Sequence, residues 1–366
     1  MTELDLQPLP CEPCLRRTRL IASLAGHLER ARHGSATLCE LLALTDAELL
    51  AIPRPLRSEQ LRSQIDSVSP AVARADIGRA GLVGICRHDP RYPRQLRDRR
   101  DAPAILHAAG APEVLPALLG APAVSIVGAR RASDYGLEVA ESIGRGLAAA
   151  GVVVVSGLAA GIDSAAHRGA LAAGGLTVAV LAGGADVAYP ARAAALYRRI
   201  RSAGAVVSEM PPGFRAFRWG FVARNRVIAA LGQVTVVVEG AQYSGSLVTA
   251  AIARERGATV AAVPGRVTSP LAHGPHELVR QGAVLVRDAR DVLDLMAGVR
   301  AAPPVPGPPV EPHLQALLDA VAAGRDTAAA LASCGLDPGA LMAGLSELEL
   351  VGRLRRGAEG RYTVLA

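Results

Sequence analysis

The feature that most constrains this chain is a series of short apolar segments that recur between residues 123 and 288. Each is apolar along most of its length rather than alternating with polar residues, which is typical of strands buried on both faces of a parallel sheet. The segments are 123–129, 152–157, 177–184, 205–210, 234–240, 259–265 and 283–288. Helical stretches separate them. The sequence therefore predicts an α/β domain with a doubly wound, mostly parallel Rossmann-like sheet.

The regions on either side of this core differ from it and predict further domains. Residues 1–80 read as a helical domain of the sterile-alpha-motif or helix-hairpin-helix kind, and 81–298 form the extended Rossmann-like domain. The proline-rich stretch 299–312 cannot continue a helix and predicts a semi-rigid linker. Residues 313–366 predict three helices and a hairpin, the order of a winged helix. The unit contains four arginines that could contact duplex DNA or be merely solvated: Arg353, Arg355, Arg356 and Arg361. The unit could instead dock a protein.

Charge and composition set limits on the function. The formal net charge is +7, and all 40 basic residues are arginine, which is suited to bidentate phosphate contacts. A GC-rich coding bias would also replace lysine with arginine, so the charge alone does not identify a partner. The acidic N-terminus does not resemble a signal peptide, and no run of about 18 apolar residues predicts a membrane span. Scattered cysteines do not predict a disulfide framework, and a cytoplasmic location is expected.

Residues 214–251 concentrate the side chains that bind nucleic acid. All three phenylalanines and the single tryptophan of the chain lie close together and alternate with arginines: Phe214, Phe217, Trp219 and Phe221. Guanidinium groups neutralise phosphates, and flat rings stack on unpaired bases. The segment therefore predicts a groove for single-stranded nucleic acid. Phe214, Phe217 and Trp219 could instead only pack the loop.

Two loops that follow predicted strands carry unusual residues, and in open α/β sheets such loops hold the ligand. The first, GARRASDYG, places Gly128 and Arg130 before a helix start at Ser133, where backbone amides would favour an anion. An ordinary turn with surface arginines is the alternative. The second loop is SGLAAGID. Four of its residues, together with Gly128 of the first loop, are expected to shape the loops rather than to contact a ligand: Ser156, Gly157, Gly161 and Asp163. His167 beyond it reads as an ordinary helical histidine.

Two further loops complete the predicted edge of the sheet. In GGADVAYP, Asp186 and Tyr189 could either hold the loop or contact a ligand. In EGAQYSGSLVTA, the hydroxyls and amides of Ser244, Gly245 and Ser246 lie at a helix start and would suit a phosphate. Simple helix capping is the alternative. The chain has no GxGxxG, HExxH, GxSxG or GxxxxGK[ST] motif and no paired carboxylates. It therefore lacks the usual residues of dinucleotide binding, hydrolysis and nucleotide triphosphatase chemistry.

The N-terminal cysteines raise a separate question about zinc. Cys11, Cys14, His27 and His33 have the C-x2-C-x12-H-x5-H spacing of a zinc finger. The residues between the two pairs, however, read as one amphipathic helix rather than as a hairpin and helix. Chance placement is therefore favoured, and no metal site and no cofactor are predicted.

Taken in order, seven motifs between residues 82 and 298 resemble the DNA-processing protein A (DprA or Smf) family. They are IVGAR, VVSGLAAGIDSAAHRGAL, AVLAGGADVAYP, SEMPPG, FVARNRVIAAL, VVVEGAQYSGSLVTAAIA and AVPG. The resemblance implies a Rossmann-like core that binds and protects single-stranded DNA and loads a RecA-type recombinase during natural transformation. It also implies a homodimer and no catalytic activity, with helical and winged-helix domains on the flanks.

The resemblance also implies roles for individual residues. Arg130 and Arg218 would contact phosphates, and the ring of Phe221 would stack on a base. The RNR motif, formed by Arg224, Asn225 and Arg226, also matches the family and would contact DNA. The same holds for the SGS turn, Ser244 to Ser246. The chain departs from the family at two positions. Tyr243 stands where the family usually has a lysine or similar polar residue, and His276 stands where it usually has an asparagine.

A nucleotide-processing enzyme is the alternative function. Phosphoribohydrolases have related Rossmann-like folds, although fold analogy alone supports this reading. They carry a PGGxGT turn followed by a glutamate. This chain offers only AGGADVAY and an isolated Glu239.

Overall fold

A computed structural model describes residues 9–31, 37–110, 115, 120–297, 311–332, 337–351, 353–357 and 360–364. The chain divides into two compact units, Met1–Arg300 and Ala301–Ala366. The predicted linker, 299–312, lies almost entirely outside the described residues, as does His33.

The first unit is built on a nine-stranded, mostly parallel sheet. Its strands are β1 (Val83–Cys86), β2 (Ile105–Gly110), β3 (Ala123–Val127), β4 (Val153–Ser156), β5 (Thr177–Val180), β6 (Ala205–Ser208), β7 (Val234–Val237), β8 (Thr259–Ala262) and β9 (Val284–Leu285). The order across the sheet is β1-β2-β6-β5-β4-β3-β7-β8-β9. Strands β3 to β9 pair in parallel, whereas β1 and β2 extend one edge with antiparallel pairs. Each of the seven predicted apolar segments contains a strand, so the predicted sheet is confirmed.

Helices cover both faces of this sheet. They are α7 (Arg94–Arg97), α8 (Asp134–Ala149), α9 (Ile162–Ala172), α10 (Ala194–Ala203), α11 (Arg218–Leu231), α12 (Gly245–Glu255), α13 (His273–Arg280) and α14 (Ala289–Met296), with short 3-10 helices at Ala191–Ala193 and Pro270–Ala272. Neighbouring residues of one strand enter opposite cores. Val153 and Val155 pack with α11 and α12, and Val154 packs with α8 and α9. This explains why the strands are apolar at nearly every position.

The described part of residues 1–80 is helical, as predicted from the sequence. Its helices are α1 (Glu12–Ser23), α2 (Ala25–Ala31), α3 (Leu38–Ala43), α4 (Asp46–Ala51), α5 (Pro55–Asp66) and α6 (Pro70–Arg79). Thr37 and Thr45 begin α3 and α4 with capping boxes. Leucines from these helices form one buried cluster with Trp219 and Ala223 of α11, so the helices pack directly against the sheet unit.

The order of the strands creates a crevice at the carboxyl edge of the sheet. From β3 the chain adds β4, β5 and β6 on one side, and then β7, β8 and β9 on the other. The loops after β3 and β7 consequently leave the sheet in different directions, which is where open α/β sheets bind ligands. Backbone hydrogen bonds join these loops: Ala129 N–H donates to Glu239 O over 2.8 Å, and Ile162 N–H donates to Ala129 O over 3.2 Å.

The second unit is small and helical with one hairpin. It contains α15 (Pro312–Ala322), α16 (Ala328–Ala332), α17 (Pro338–Leu350) and the antiparallel strands β10 (Leu354–Arg356) and β11 (Tyr362–Val364). Its core includes Leu317, Leu331, Leu345 and Tyr362. The three helices and the hairpin occur in the predicted order, while the identification as a winged helix stays a prediction.

Across the described residues, none of the helices is both long enough and apolar enough to span a membrane.

Candidate nucleic-acid interface

A cavity of about 300 Å³ lies at the carboxyl edge of the sheet, beside β3 and β7. Its walls come from the loops after β3, β4 and β7 and from the first half of α11. The structure brings most of the site residues predicted from the sequence together around this cavity: Gly128, Arg130, Asp163, Phe221, Arg224, Asn225, Ser244, Gly245 and Ser246. Arg218 and Arg226 are not among the residues that line it.

Arg130 and Phe221 form a stacked pair at the cavity. The side chain of Arg130 is exposed, and its Cζ lies 4.9 Å from the centroid of the Phe221 ring. The ring of Tyr189 packs on the ring of Phe221, and the two ring centroids lie 5.6 Å apart. Tyr189 is half exposed. The site therefore presents one exposed guanidinium beside two aromatic side chains that are each partly exposed to solvent.

The SGS turn supplies polar groups on another wall. Ser244 caps α12, accepting a hydrogen bond from Ser246 N–H, and the two hydroxyl oxygens lie 2.8 Å apart. Asn225 donates from Nδ2 to Gly245 O over 3.3 Å, which ties α11 to this turn. The sequence left open whether these serines cap the helix or contact a phosphate. Ser244 does cap the helix, and the residues that cap it also line the cavity.

Arg224, which the sequence predicted as a phosphate contact, lines the cavity but is largely buried. Its Nη2 lies 3.5 Å from Asp163 Oδ2, and its Nη1 donates to Val180 O over 3.0 Å. Burial lowers the pKa of Arg224 while Asp163 opposes that shift, and burial raises the pKa of Asp163 while Arg224 opposes it. The pair therefore anchors the loop after β4 to α11.

Arg226 is buried even more completely, and its side chain faces away from solvent. It makes two hydrogen bonds with the Glu209 carboxylate, at 2.6 and 3.1 Å, and its Nε lies 3.8 Å from Asp101 Oδ2. Arg256 also pairs with Asp101, over 2.8 Å. A guanidinium held in this way is not accessible to a phosphate. The direct contact expected for Arg226 is replaced by a structural role in which α11 is fastened to the end of β6.

The other aromatic residues of the segment separate into buried and exposed groups. Trp219 is fully buried among the N-terminal helices, and its backbone N–H donates to the Glu29 carboxylate over 2.6 Å. The rings of Phe214 and Phe217 pack on each other, 5.8 Å apart. These contacts agree with the loop-packing alternative. Arg218 is exposed at the first turn of α11.

The start of α8 does not offer a free anion site, contrary to the expectation for the first loop. The Glu239 carboxylate accepts hydrogen bonds from Ser133 N–H over 2.9 Å and from Ser133 Oγ over 2.5 Å. Glu239 thus supplies the negative charge that this helix start favours. It is also the glutamate on which the phosphoribohydrolase alternative depended, and it is committed to this internal contact.

Neighbouring atoms lie too close to the backbone of the second loop for its glycines to carry a side chain. A Cβ at Gly157 would lie 1.2 Å from Arg224 Nη1, and one at Gly161 would lie 2.2 Å from Ala129 O. Gly161 also has a φ of 81°, which disfavours other residues. A Cβ at Gly128 would lie 2.6 Å from Ile162, and Ser156 Oγ donates to Ile126 O. These contacts fit the expected architectural role.

Other polar residues flagged in the sequence hold structure. Asp186 accepts hydrogen bonds from Gly213 N–H at 2.9 and 3.0 Å. His167 is buried, its Nδ1 lies 2.7 Å from Thr177 Oγ1, and burial lowers its pKa to about 3. His276 contacts the backbone of Gly265, whereas Tyr243 is almost fully exposed.

The cysteine pair near the N-terminus has different neighbours from those that its spacing indicated. The structure groups Cys11 and Cys14 with Cys86 and His88, and their ligand atoms all lie within 4.8 Å of one another. His27 lies in α2 and is not part of this group. The C-R-H sequence at 86–88 is the signal that the sequence analysis missed.

The fold and the cavity define a doubly wound α/β protein with an arginine- and aromatic-lined site at the switch point of its sheet. The chain belongs to the DNA recombination-mediator protein A family, whose model matches residues 84–297, more than half of the chain.

Several known proteins are similar to this chain. It is 42% identical to the putative DNA processing protein DprA of Mycobacterium tuberculosis over 66% of this chain, and it spans only 64% of that relative's length. It is 34% identical to DNA processing protein DprA of Bacillus subtilis, covering 69% of this chain and 85% of the relative.

Two solved structures share the fold. The X-ray structure of DNA processing protein A from Streptococcus pneumoniae aligns with a TM-score of 0.63 and 30% identity, over 81% of this chain and 100% of that one. A DNA processing protein A from Helicobacter pylori, described for its single-stranded DNA binding mode, aligns with a TM-score of 0.51 and 27% identity, over 56% and 93%.

Proposed function

We propose that this protein binds single-stranded DNA at the cavity beside β3 and β7 and acts as a recombination mediator. The observation that carries the proposal is the stacking of Arg130 on Phe221 beside a cavity that the SGS turn also lines. A guanidinium for the backbone, rings for a base and hydroxyls at a helix start are the groups that single-stranded nucleic acid requires.

Each group would take a different part of the strand. Arg130 is exposed at the cavity and would neutralise a phosphate. Phe221 and Tyr189 would stack on a base, which needs no particular sequence because every base has an aromatic face. Ser244 and Ser246 at the start of α12 would donate to a second phosphate. Arg224, Arg226 and Asn225 would hold this arrangement in place from behind.

The relatives support this reading. The Helicobacter pylori protein that shares the fold is described for single-stranded DNA binding, and the family description names a recombination mediator. Loading of a RecA-type recombinase, action as a homodimer and the absence of catalytic activity are the finer parts of the proposal. The contact of Glu239 with Ser133 supports the last of these, because this candidate catalytic carboxylate is engaged in an internal hydrogen bond and does not line the cavity.

Equilibrium binding to a labelled oligonucleotide across a salt series tests the DNA site. Arg130→Ala should weaken binding and lower the slope of log affinity against log salt by about 0.7, the value for one phosphate on a single strand. Phe221→Leu should weaken binding by about tenfold without changing that slope. Arg145→Ala is the matched control. Arg145 is exposed on α8, about 16 Å along the helix from its start, and so lies toward the opposite edge of the sheet.

Parent-like affinity in both site variants would show that DNA binds elsewhere. A strand-exchange assay tests the mediator role separately. Added protein should relieve the inhibition of a RecA-type recombinase by a single-strand binding protein, and Arg130→Ala should not. Tight binding without any such relief would leave a DNA-binding protein and reject the mediator role.

A further inference from the structure

Four sulfur- and nitrogen-bearing side chains meet where the N-terminal helices join the sheet. They come from two segments far apart in the sequence, and together they are called the Cys3His cluster: Cys11, Cys14, Cys86 and His88. Their ligand atoms all lie within 4.8 Å of one another. Cys14 and Cys86 are buried, Cys11 is half buried and His88 is exposed, so the cluster lies just below the surface.

The first segment presents its thiols from a helix start. Cys11 is the N-cap residue of α1 and Cys14 lies three residues later, so one turn of helix brings both sulfurs to the same end. The Cys11 side chain makes no capping hydrogen bond to the backbone of α1, unlike the threonines that cap α3 and α4.

The second segment presents its ligands from a tight turn. Cys86 is the last residue of β1, and Asp89 N–H donates to Cys86 O over 2.8 Å. This turn places His88 opposite the two thiols of α1. The Nδ1 atom of His88 lies 3.3 Å from Cys11 Sγ and 3.5 Å from Cys14 Sγ.

The two sulfur–nitrogen spacings in the cluster are close to those of a four-coordinate zinc site. Zinc binds cysteine sulfur at about 2.3 Å and histidine nitrogen at about 2.0–2.1 Å, so a tetrahedral site holds sulfur and nitrogen ligands about 3.5–3.6 Å apart. The two sulfur–nitrogen distances in the cluster, 3.3 and 3.5 Å, lie at or just below that value. Three thiolates and one imidazole form a closed ligand set, which is typical of structural rather than catalytic zinc.

We propose that the Cys3His cluster binds one zinc ion and thereby fastens α1 to the end of β1. The ion would close a loop between Cys11 and His88, which are 77 residues apart in sequence. Because α1 continues into the leucine cluster that packs on Trp219, the ion would also fix the helices behind α11. The site lies outside the DNA-binding cavity, and no feature of the cavity is needed to argue for it.

Metal analysis of the full-length protein tests this proposal. Protein expressed with zinc in the medium and purified under reducing conditions, without a metal-affinity tag, should carry about one zinc per chain. Replacing zinc with cobalt should give the visible absorption of tetrahedral cobalt bound to thiolates. Removing the metal should lower the melting temperature by on the order of 5 °C or more, because structural zinc contributes to folding.

Variants distinguish this cluster from other cysteines and histidines. Cys86→Ser should abolish zinc retention, and His88→Cys should preserve it as a four-cysteine site. Cys39→Ser is the matched control, because Cys39 is a half-buried cysteine outside the cluster. His27→Ala should likewise keep the metal. If Cys86→Ser does not fold, titration of the parent protein with a mercurial should still release one zinc per chain.

Several results would overturn the proposal. Reduced parent protein that contains no zinc and binds no cobalt would show that the cluster is not a metal site. A disulfide between two cluster cysteines in freshly purified protein, detected by mass spectrometry, would show a redox pair instead. Equal zinc loss in Cys39→Ser and Cys86→Ser, or loss in His27→Ala, would place any metal elsewhere.

Discussion

Arg130 stacks on Phe221 although the two residues follow different strands of the sheet, with Cζ of the guanidinium 4.9 Å from the ring centroid. Each therefore helps to position the other. We expect the affinity losses of Arg130→Ala and Phe221→Leu to be non-additive, with a coupling energy of about 0.5–1 kcal/mol. Binding constants for the parent, both single variants and the double variant give this value. Strict additivity would show that the stacked pair does not act as a unit.

The contact between Gly157 and Arg224 predicts a large effect of one added methyl group. Gly157→Ala would place a Cβ 1.2 Å from Arg224 Nη1, so the buried guanidinium would have to shift away from its contacts with Asp163 and Val180. We expect a loss of at least about 3 kcal/mol in the free energy of unfolding, or failure to fold. Gly78→Ala is the control, because Gly78 is a helical glycine with open space around it, and it should gain up to about 1 kcal/mol. Urea denaturation measures both, and equal midpoints would contradict the packing described for Gly157.

The buried pair of Arg226 and Glu209 predicts that losing one partner is costly. Glu209→Ala would leave a guanidinium 1% exposed without its bidentate carboxylate, and we expect a loss of about 3–5 kcal/mol in the free energy of unfolding. Glu141→Ala breaks the partly exposed ion pairs with Arg145 and Arg168 and should change stability by at most about 1 kcal/mol. A small effect at Glu209 would mean that Asp101 alone can satisfy Arg226.

Two buried histidines predict a loss of stability in acid. Burial lowers the pKa of His167 to about 3 and that of His107 to about 4, both below the ordinary value of 6.5. Below pH 6.5 the unfolded chain binds protons that the folded protein does not, so the free energy of unfolding falls as the pH drops toward 4. Each histidine contributes a slope of up to about 1.4 kcal/mol per pH unit.

His167→Asn tests this contribution, because asparagine can keep the hydrogen bond to Thr177. Urea denaturation at several pH values should show a shallower dependence in the variant between pH 6.5 and 4. An unchanged slope would mean that His167 becomes charged within the folded protein.

The division into two units predicts that the C-terminal unit can be removed. The chain truncated after Arg300 should fold, because each unit has a separate hydrophobic core. We expect it to bind single-stranded oligonucleotides as tightly as the full-length protein, since every residue lining the cavity is retained. Comparison of single-stranded and duplex oligonucleotides with both proteins measures the contribution of residues 301–366. A large loss of single-strand affinity on truncation would assign DNA binding to the second unit.

The sequence was sufficient to predict the sheet and most of the cavity, because both depend on local patterns. Buried parallel strands are apolar throughout, and their carboxyl ends meet at one edge, so loops recognised separately could be assigned to one site. Motif matching could not separate exposed from buried arginines. Helical spacing contains that information: Trp219, Ala223 and Arg226 share the buried face of α11, whereas Arg218, Phe221 and Asn225 share the more exposed face.

Other features depend on partners distant in the sequence, which no local pattern specifies. The burial of Arg224 becomes evident only once Asp163 and Gly157 are in place beside it. Glu239 fills the start of α8 from a loop after another strand. Likewise, Cys11 and Cys14 contact His88, which is 77 and 74 residues away in the sequence, and His27 is not part of their cluster.

The backbone hydrogen bonds that join the loops after β3, β4 and β7 have a consequence for the rate of binding. Because Ala129 is bonded both to Glu239 and to Ile162, the cavity is already formed before a ligand arrives. The loss of conformational entropy on association then falls on the flexible strand rather than on the protein. Encounter should be fast and governed by charge, so added salt should slow association much more than it speeds dissociation.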